Sequence, residues 1–219
     1  PSSLDDGGLL SEHWFFIADA GRNTTGFIGI CLECTQASRV YITFDEVLLN
    51  GDVSYNRMSC VNAVSLELKP GKYCLETIQP YTCRYLKPMV LSGSVNIRDI
   101  YIRELKNPAV SQASFSACDD SLNRIFEAGR ETFAQNAPDL YMDCPSRERA
   151  GWLCDSFFTA RVEMDLTGNH LVEDNFLENY LLPEQFPYLP EGMIPMCYPS
   201  DHPDGVYIAN WALWFILEL

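Results

Sequence analysis

The residues best suited to chemistry lie in one short segment, residues 143–155, which reads DCPSRERAGWLCD. This motif loop, as we call it below, contains three carboxylates, two arginines and one tryptophan. Carboxylates that lie close together raise the pKa of at least one of them, whereas guanidinium groups keep others ionised. A protonated acid beside ionised carboxylates is a combination that cleaves glycosidic bonds, and an indole can stack on the apolar face of a sugar ring.

The same residues also fit a purely structural role. Pro145 disfavours a helical conformation at the residue before it, and Gly151 loosens the backbone, so we predict a loop that leads into a helix. In such a loop Asp143 fits a helix cap, Asp155 an acid in a first helical turn, and Trp152 a core residue. Residue types alone therefore leave the catalytic and the structural interpretation open.

The first half of the chain has the pattern of short β-strands. Stretches rich in β-branched and aromatic side chains are separated by turn signals such as Asn50-Gly51 and Pro70-Gly71. Apolar and polar residues alternate within several of these stretches, as in a half-buried sheet. We therefore predict an antiparallel β-sandwich, with strands over residues 27–32, 39–44, 63–68, 72–77, 84–87 and 97–102.

Beyond residue 108 the apolar period becomes that of helices. Gly168 and Pro183 mark the ends of two of them, and a further helix begins near Tyr207 and is still apolar at Leu219. The first helix has an apolar face made of Leu122, Ile125, Phe126, Gly129 and Phe133. We predict complete helices over residues 119–133, 153–166 and 170–182.

The two ends of the sequence suggest a piece of a longer protein. The first residue is not Met, and the last helix has no cap or closing turn. We therefore predict a β-domain over residues 1–110, followed by residues 111–219 as part of an all-helical domain that is cut at the C-terminus.

Charge is distributed unevenly along the chain. The net charge is -15, with 10 basic and 12 acidic residues over 1–112 but 5 basic and 18 acidic residues over 113–219. Such a negative surface repels phosphate backbones and anionic lipids, so we expect neither nucleic acid nor membrane as a partner. No apolar run approaches the roughly 18 residues of a membrane helix.

Cysteine and histidine give no indication of a metal or cofactor. Nine cysteines cannot all pair within one chain, so we expect a reducing compartment, the cytoplasm rather than the periplasm or the exterior. Cys31 and Cys34 form the only CxxC, which we interpret as two buried structural thiols. The three histidines are not at ligand spacing from one another or from cysteine.

The motif loop resembles the signature of bacterial α-L-rhamnosidases, family 78 of the glycoside hydrolases. Residues 114–129 are similar to the first barrel helix of those enzymes, and residues 18–29 are similar to the start of the β-sandwich that precedes their barrel. The resemblance implies an antiparallel β-sandwich followed by the first helices of an (α/α)6 barrel. It also implies an inverting hydrolase that releases terminal α-L-rhamnose from glycosides or oligosaccharides.

Roles follow from the resemblance residue by residue. Glu148 matches the general acid, and Asp143 and Asp155 match carboxylates that bind the rhamnose hydroxyls. Arg147 and Trp152 belong to the same motif and are expected to contact substrate. The general base of the family is a Glu far downstream, which implies that it lies beyond Leu219 and that this chain alone is inactive.

A second segment carries two further candidates. Asp204 lies seven residues before Trp211, as in a family segment that contacts the sugar, but His202-Pro203 replaces a Trp often found there. Trp211 therefore fits either a substrate contact or barrel core. The Pro-rich residues 183–203 are expected to form a loop on the rim of the site, where Tyr188 and Tyr198 would contact an aglycone.

Two other classes of function stay open. The barrel could have lost catalysis and act as a carbohydrate-binding protein on the same scaffold. The β-domain could instead be the functional part, as a lectin-like or structural module, although it offers no exposed aromatic cluster that the sequence places on one strand face. The sequence does not indicate an oligomeric state or an aglycone preference.

Overall fold

The computed structural model describes residues 8–200 and 207–219, which divide into two compact units. The first unit ends at Leu105 and contains every strand of the described residues, and the second begins at Lys106 and is helical. We call them the β-unit and the helical unit.

The β-unit forms where the sequence alternates apolar and polar residues. Five of the six predicted stretches lie wholly within strands, the sixth, 72–77, extends one residue past its strand, and the stretch 63–68 matches its strand residue for residue. The strands are β1 (Leu9–Ser11), β2 (Ala18–Cys34), β3 (Ser38–Asp45), β4 (Leu48–Leu49), β5 (Asp52–Val53), β6 (Ala63–Leu68), β7 (Gly71–Glu76), β8 (Tyr81–Ser92) and β9 (Ser94–Glu104).

Seven of these strands form an antiparallel sheet, which confirms the predicted antiparallel β-domain followed by helices. The order is β1-β9-β2-β8-β3-β6, with β7 paired to β2, while β4 and β5 form a separate hairpin. Strand β2 is 17 residues long and pairs with three other strands, β7, β8 and β9. Side chains from both ends of the sheet share one core that includes Ile30, Val40, Phe44, Leu86, Val90 and Ile97.

One cysteine prediction is wrong in this structure. Cys31 forms a disulfide with Cys74, so it is not a free structural thiol. The two residues are direct partners in the β2–β7 pairing, and this register brings their side chains together. Cys34 is a buried free thiol, as expected, and its Sγ donates to the carbonyl of Lys69 at 3.0 Å.

Three of the predicted helices form close to their predicted positions. The side chain of Asp119 accepts a hydrogen bond from Ser121 N and caps the first helix. Gly168 ends the second helix in the left-handed conformation, at φ 75°. The helices are α1 (Asp120–Asn136), α2 (Asp155–Thr167), α3 (Leu171–Leu181), α4 (Ala209–Ala212) and α5 (Trp214–Glu218), with 3-10 turns at Arg57–Ser59 and Pro108–Gln112.

The apolar face of α1 is only partly buried within the described residues. Phe133 is buried, but Leu122 and Ile125 on the same face are exposed. Phe126 stacks on Phe115 with their ring centroids 5.2 Å apart. None of the helices in the described ranges combines the length and apolar character needed to cross a bilayer.

Candidate active site

Hydrogen bonds between Asp143 and Ala150 close the first part of the motif loop. Asp143 N donates to the carbonyl of Ala150 at 3.1 Å, and Ala150 N donates back to Asp143 Oδ1 at 3.2 Å. Inside this ring Arg149 N donates to the carbonyl of Cys144 at 3.2 Å. Residues 143–150 thus form a closed loop that leads into a helix, as the sequence predicts, although α2 starts at Asp155 and not at residue 153.

The Pro-rich segment holds the second half of the motif loop in place. Tyr198 N donates to the carbonyl of Gly151 at 2.9 Å, and Leu153 N donates to the carbonyl of Met196 at 3.0 Å. A Cβ at position 151 would lie only 2.3 Å from the carbonyl oxygen of Tyr198, so only glycine allows this approach. Residues 183–200 thus include a strand-like support for the loop.

The buried carboxylate of Glu163 in α2 anchors Tyr141, which precedes the motif loop, and the start of α3. The hydroxyl of Tyr141 donates to the carboxylate of Glu163, and both residues are fully buried. Glu163 also accepts the amides of Val172 and Glu173, at 2.9 and 3.0 Å, and so caps the start of α3. The sequence does not predict this anchor, because its only local signal is a Glu between the apolar residues Val162 and Met164.

The electrostatics of the loop distinguish its carboxylates. Burial raises the pKa of Asp155, and the negative charges of Asp143 and Glu148 raise it further. The three carboxylates are therefore close enough to interact. The side chain of Glu148 is 24% exposed and forms an ion pair with Arg147, whose pKa is raised mainly by the charge of Glu148.

A thiol lies within this acidic loop. Glu148 N donates to Cys144 Sγ at 3.4 Å. Burial raises the pKa of Cys144, and a hydrogen bond to Asp143 raises it further. The thiol is therefore neutral at physiological pH and helps to orient Asp143, a role that the sequence analysis did not assign.

The structure also brings the two candidate tryptophans into one cluster. Trp152 and Trp211 are partly buried and pack against Ala150, Met196 and Cys197. Trp211 therefore lies with the motif loop, although its contacts are also those of a core residue. Asp204, the remaining candidate, falls outside the described residues.

Among the described residues, one group could offer ligands to a metal ion. Glu163, His170 and Glu173 each place one donor atom within 4.8 Å of the others. Hydrogen bonds already account for these groups, since Glu163 binds Tyr141 and two amides, and His170 Nδ1 lies 2.7 Å from Glu173 Oε2. The arrangement is explained without a metal.

Comparisons with known proteins identify a family for the helical unit. Residues 111–217 match the model of the bacterial alpha-L-rhamnosidase 6 hairpin glycosidase domain. No curated protein matches the chain significantly.

Similar folds occur in solved rhamnosidase structures. The family 78 rhamnosidase of Bacillus sp. GL1 shares 25% identity over 93% of this chain, with a TM-score of 0.80. The Klebsiella oxytoca rhamnosidase with rhamnose bound shares 18% identity over 96%, with a TM-score of 0.77, and the Streptomyces avermitilis alpha-L-rhamnosidase complexed with L-rhamnose shares 17% over 91%, with a TM-score of 0.62. This chain spans 21%, 44% and 20% of those chains, respectively. Since the family match takes in almost the whole helical unit, that unit belongs to the bacterial α-L-rhamnosidase six-hairpin glycosidase family.

Proposed function

We propose that this chain supplies the acid side of the active site of an inverting glycoside hydrolase that releases terminal α-L-rhamnose. The observation that carries the proposal is the closed motif loop, in which Asp155 interacts electrostatically with both Asp143 and Glu148. The loop falls within the region that matches the rhamnosidase family. Rhamnose complexes among the similar structures support rhamnose as the sugar.

In this proposal Glu148 is the general acid. Its protonated carboxyl gives the proton to the glycosidic oxygen while the bond from that oxygen to the anomeric carbon breaks, and the leaving alcohol keeps the bonding electrons. Asp143 and Asp155 accept hydrogen bonds from the ring hydroxyls and stabilise the positive charge that develops on the sugar. Trp152 offers its indole to the apolar face of the ring.

Arg147 has to release Glu148 before the acid can act. A general acid has to face the glycosidic oxygen, but the guanidinium of Arg147 donates a hydrogen bond to Oε1 of Glu148. The side chain of Arg147 is exposed enough to move. We therefore assign Arg147 to substrate positioning, with its contact transferred from Glu148 to a sugar hydroxyl when the substrate binds.

Inversion also needs a general base on the opposite face of the sugar. The two carboxyl groups of inverting enzymes lie about 6.5–9.5 Å apart, which leaves room for a water molecule. Asp143 and Asp155 share the loop of Glu148 and are assigned to the sugar hydroxyls. We therefore propose that the base is a Glu outside these residues, as the resemblance implies.

The acid role of Glu148 is tested by changing its proton donor. In the longest protein that contains this chain, Glu148→Gln should lower kcat on methyl α-L-rhamnoside by about 10²–10⁴-fold, because a poor leaving group needs the proton. Its effect on 2,4-dinitrophenyl α-L-rhamnoside should be far smaller. Glu127→Gln, a change on the exposed face of α1, is the matched control.

The outcome separates three interpretations. Equal loss on both substrates would show that Glu148 is not the acid. Formation of the α-anomer as the first product, followed by NMR, would refute inversion. Rhamnose binding by the wild type without turnover of either substrate would favour the non-catalytic carbohydrate-binding alternative.

The location of the base is tested separately. Turnover of an aryl rhamnoside by the 219-residue chain is compared with turnover by the longest protein that contains it. We expect activity only in the longer protein. Appreciable turnover by the chain itself would refute a base outside these residues.

A further inference from the structure

A sulfur atom of the motif loop holds the backbone amide of Glu148. Glu148 N donates to Cys144 Sγ at 3.4 Å, and within the described part of the chain no other acceptor takes this amide. The next amide along the chain, Arg149 N, donates to the carbonyl oxygen of the same cysteine at 3.2 Å. Cys144 therefore holds two successive peptide groups, one through its side chain and one through its backbone.

The turn that these two bonds hold is unfavourable by itself. Arg149 has φ 53°, in the left-handed region, which a residue with a Cβ adopts only at a cost. Such a conformation persists where the surrounding contacts determine it. The two bonds to Cys144, together with the pairing of Asp143 and Ala150, supply these contacts.

The same sulfur also contacts a carboxylate on the other side of the loop. The thiol of Cys144 donates to Asp143, which adds to the rise in its pKa, so the thiol stays protonated at neutral pH. A protonated thiol can donate one hydrogen bond and accept another at the same time. Asp143 has a second donor, Ala150 N at 3.2 Å. Loss of the thiol should therefore disturb the peptide group of Glu148 more than the carboxylate of Asp143.

A fixed backbone matters at Glu148 because its carboxyl has to change partner. In the structure Oε1 of Glu148 accepts a hydrogen bond from Arg147, whereas in the proposed reaction the carboxyl turns to the glycosidic oxygen. A side chain that changes its contact keeps its reach only if its Cα stays in place. A misplacement of about 1 Å can lower a catalytic rate by roughly 10²-fold.

We propose that Cys144 is a positioning residue for the acid: its thiol holds the peptide group of Glu148, so that the carboxyl reaches the leaving oxygen of the rhamnoside. Cys144 acts through Glu148 and not on the sugar. This inference rests on the proposed function, because it explains how the same site places its acid.

Two substitutions of Cys144 test the hydrogen bond. In the longest protein that contains this chain, Cys144→Ala removes the acceptor and should lower kcat on methyl α-L-rhamnoside by about 10–100-fold. On 2,4-dinitrophenyl α-L-rhamnoside kcat should fall by less than about threefold, since that leaving group needs no proton. Cys144→Ser keeps a group that can accept from the amide, so its loss on the methyl substrate should be smaller than that of Cys144→Ala.

Sugar binding and stability are measured on the same samples. The Kd of L-rhamnose, from calorimetry, should change by less than about threefold, because the lost interaction serves the transition state and Ala150 N still holds Asp143. Thermal unfolding shows whether each variant folds. If Cys144→Ala does not fold, Cys144→Ser carries the comparison, with a loss of about 3–10-fold on the methyl substrate and none on the dinitrophenyl substrate. Cys118→Ala, at an exposed free thiol of the helical unit, is the control and should match the wild type throughout.

Four results would each overturn the inference. They are an unchanged kcat of Cys144→Ala on methyl α-L-rhamnoside, an equal loss on both substrates, a weaker Kd at unchanged kcat, and a loss in Cys144→Ser as large as in Cys144→Ala. An equal loss on both substrates is what a purely structural thiol predicts, and a change confined to Kd would place the role at Asp143.

Glu148→Gln, measured alongside, reports on the proposed function. If Glu148→Gln loses activity mainly on the methyl substrate and Cys144→Ala does not, the function stands and the positioning role fails. If Glu148→Gln loses activity equally on both substrates, the acid role of Glu148 itself fails.

Discussion

The pKa values of several carboxyl groups are shifted in opposite directions in the two units of the molecule. In the β-unit, hydrogen bonds from arginine or lysine lower the pKa of Asp19, Glu33, Asp52 and Glu76. In the helical unit, burial raises the pKa of Asp155, and it raises that of Glu218 to about 7. The first arrangement favours ionised carboxylates, whereas in the second the carboxyl groups keep their protons to higher pH.

The units also differ in where their exposed apolar side chains lie. The core of the β-unit includes Val40, Phe44 and Val90, each at most 1% exposed. In the helical unit Ile125, Leu171 and Ile216 are between 67% and 70% exposed. Most exposed apolar side chains of the β-unit, such as Val61 and Ile78 at 75% and 100%, lie outside its strands, whereas most of those of the helical unit lie in the helices themselves. The described helices therefore keep apolar surface that only further packing would bury.

The largest expected difference concerns this packing. Phe44→Ala should lower the free energy of unfolding by roughly 3–5 kcal/mol, because it removes a fully buried ring and leaves a cavity. Ile125→Ala, on the exposed face of α1, should change it by less than about 0.5 kcal/mol. Urea denaturation of the 219-residue chain measures both. A large loss for Ile125→Ala would show that this face is already packed.

The next effect concerns the disulfide of the β-unit. Cys31→Ser removes a link between residues 43 positions apart and should cost roughly 2–4 kcal/mol, with only the unfolding transition of the β-unit affected. Cys60→Ser, at a free thiol, is the control and should have little effect. Equal unfolding of wild type and Cys31→Ser under oxidising conditions would argue against the pairing with Cys74.

The strands show which features of the β-unit can be predicted from local sequence patterns. Alternation predicts the strand 63–68 residue for residue, but Gly21-Arg-Asn23 indicates a turn. In the structure β2 continues through this stretch, because the register shift between Asp19 and Thr24 accommodates it within the strand. A bulge is set by the partner strand, which local sequence does not show.

In the candidate site, too, local sequence signals predict some features and not others. The loop and the start of α2 follow from Pro145 and Gly151, which are local signals. The hydrogen bond from Tyr141 to Glu163 spans 22 positions, and the pairing of Gly151 with Tyr198 spans still more. Neither contact has a local signature, so the supports of the motif loop could not be predicted.

Glu218 tests the charge comparison through pH. Its pKa is raised, so the folded state binds more protons than the unfolded state between pH 4.5 and about 7, and stability falls as pH rises through this window. Glu218→Gln should therefore stabilise the helical unit above pH 7 by about 1–2 kcal/mol after allowance for solvent screening. The gain should vanish near pH 4.5.

Thermal unfolding across this pH range measures the stability of Glu218→Gln relative to the wild type. Glu191→Gln, a change at an exposed position, is the control. The β-unit should behave oppositely, since its lowered carboxyl pKa values supply stability that is lost only at acid pH. A Glu218→Gln gain that is independent of pH would show that the carboxylate charge is not its cause.

The smallest expected effect on stability is at Asp155, where two forces oppose each other. The positive end of α2 favours an ionised Asp155 by about 0.3–1 kcal/mol, whereas burial and the charges of Asp143 and Glu148 disfavour it and raise its pKa. Since the pKa is raised, the second influence is larger, and Asp155→Asn should stabilise the helical unit at pH 7 by less than about 1 kcal/mol. The gain should shrink as pH falls towards the ordinary pKa of Asp, because the wild-type carboxyl then takes up its proton.

Rhamnose affinity, measured by calorimetry, should fall in the same variant if Asp155 binds a ring hydroxyl. If Asp155→Asn is more stable at pH 7 but binds rhamnose as tightly as the wild type, the carboxylate of Asp155 is not a substrate contact. The repulsion between Asp155 and the charges of Asp143 and Glu148 would then have no role in binding the sugar.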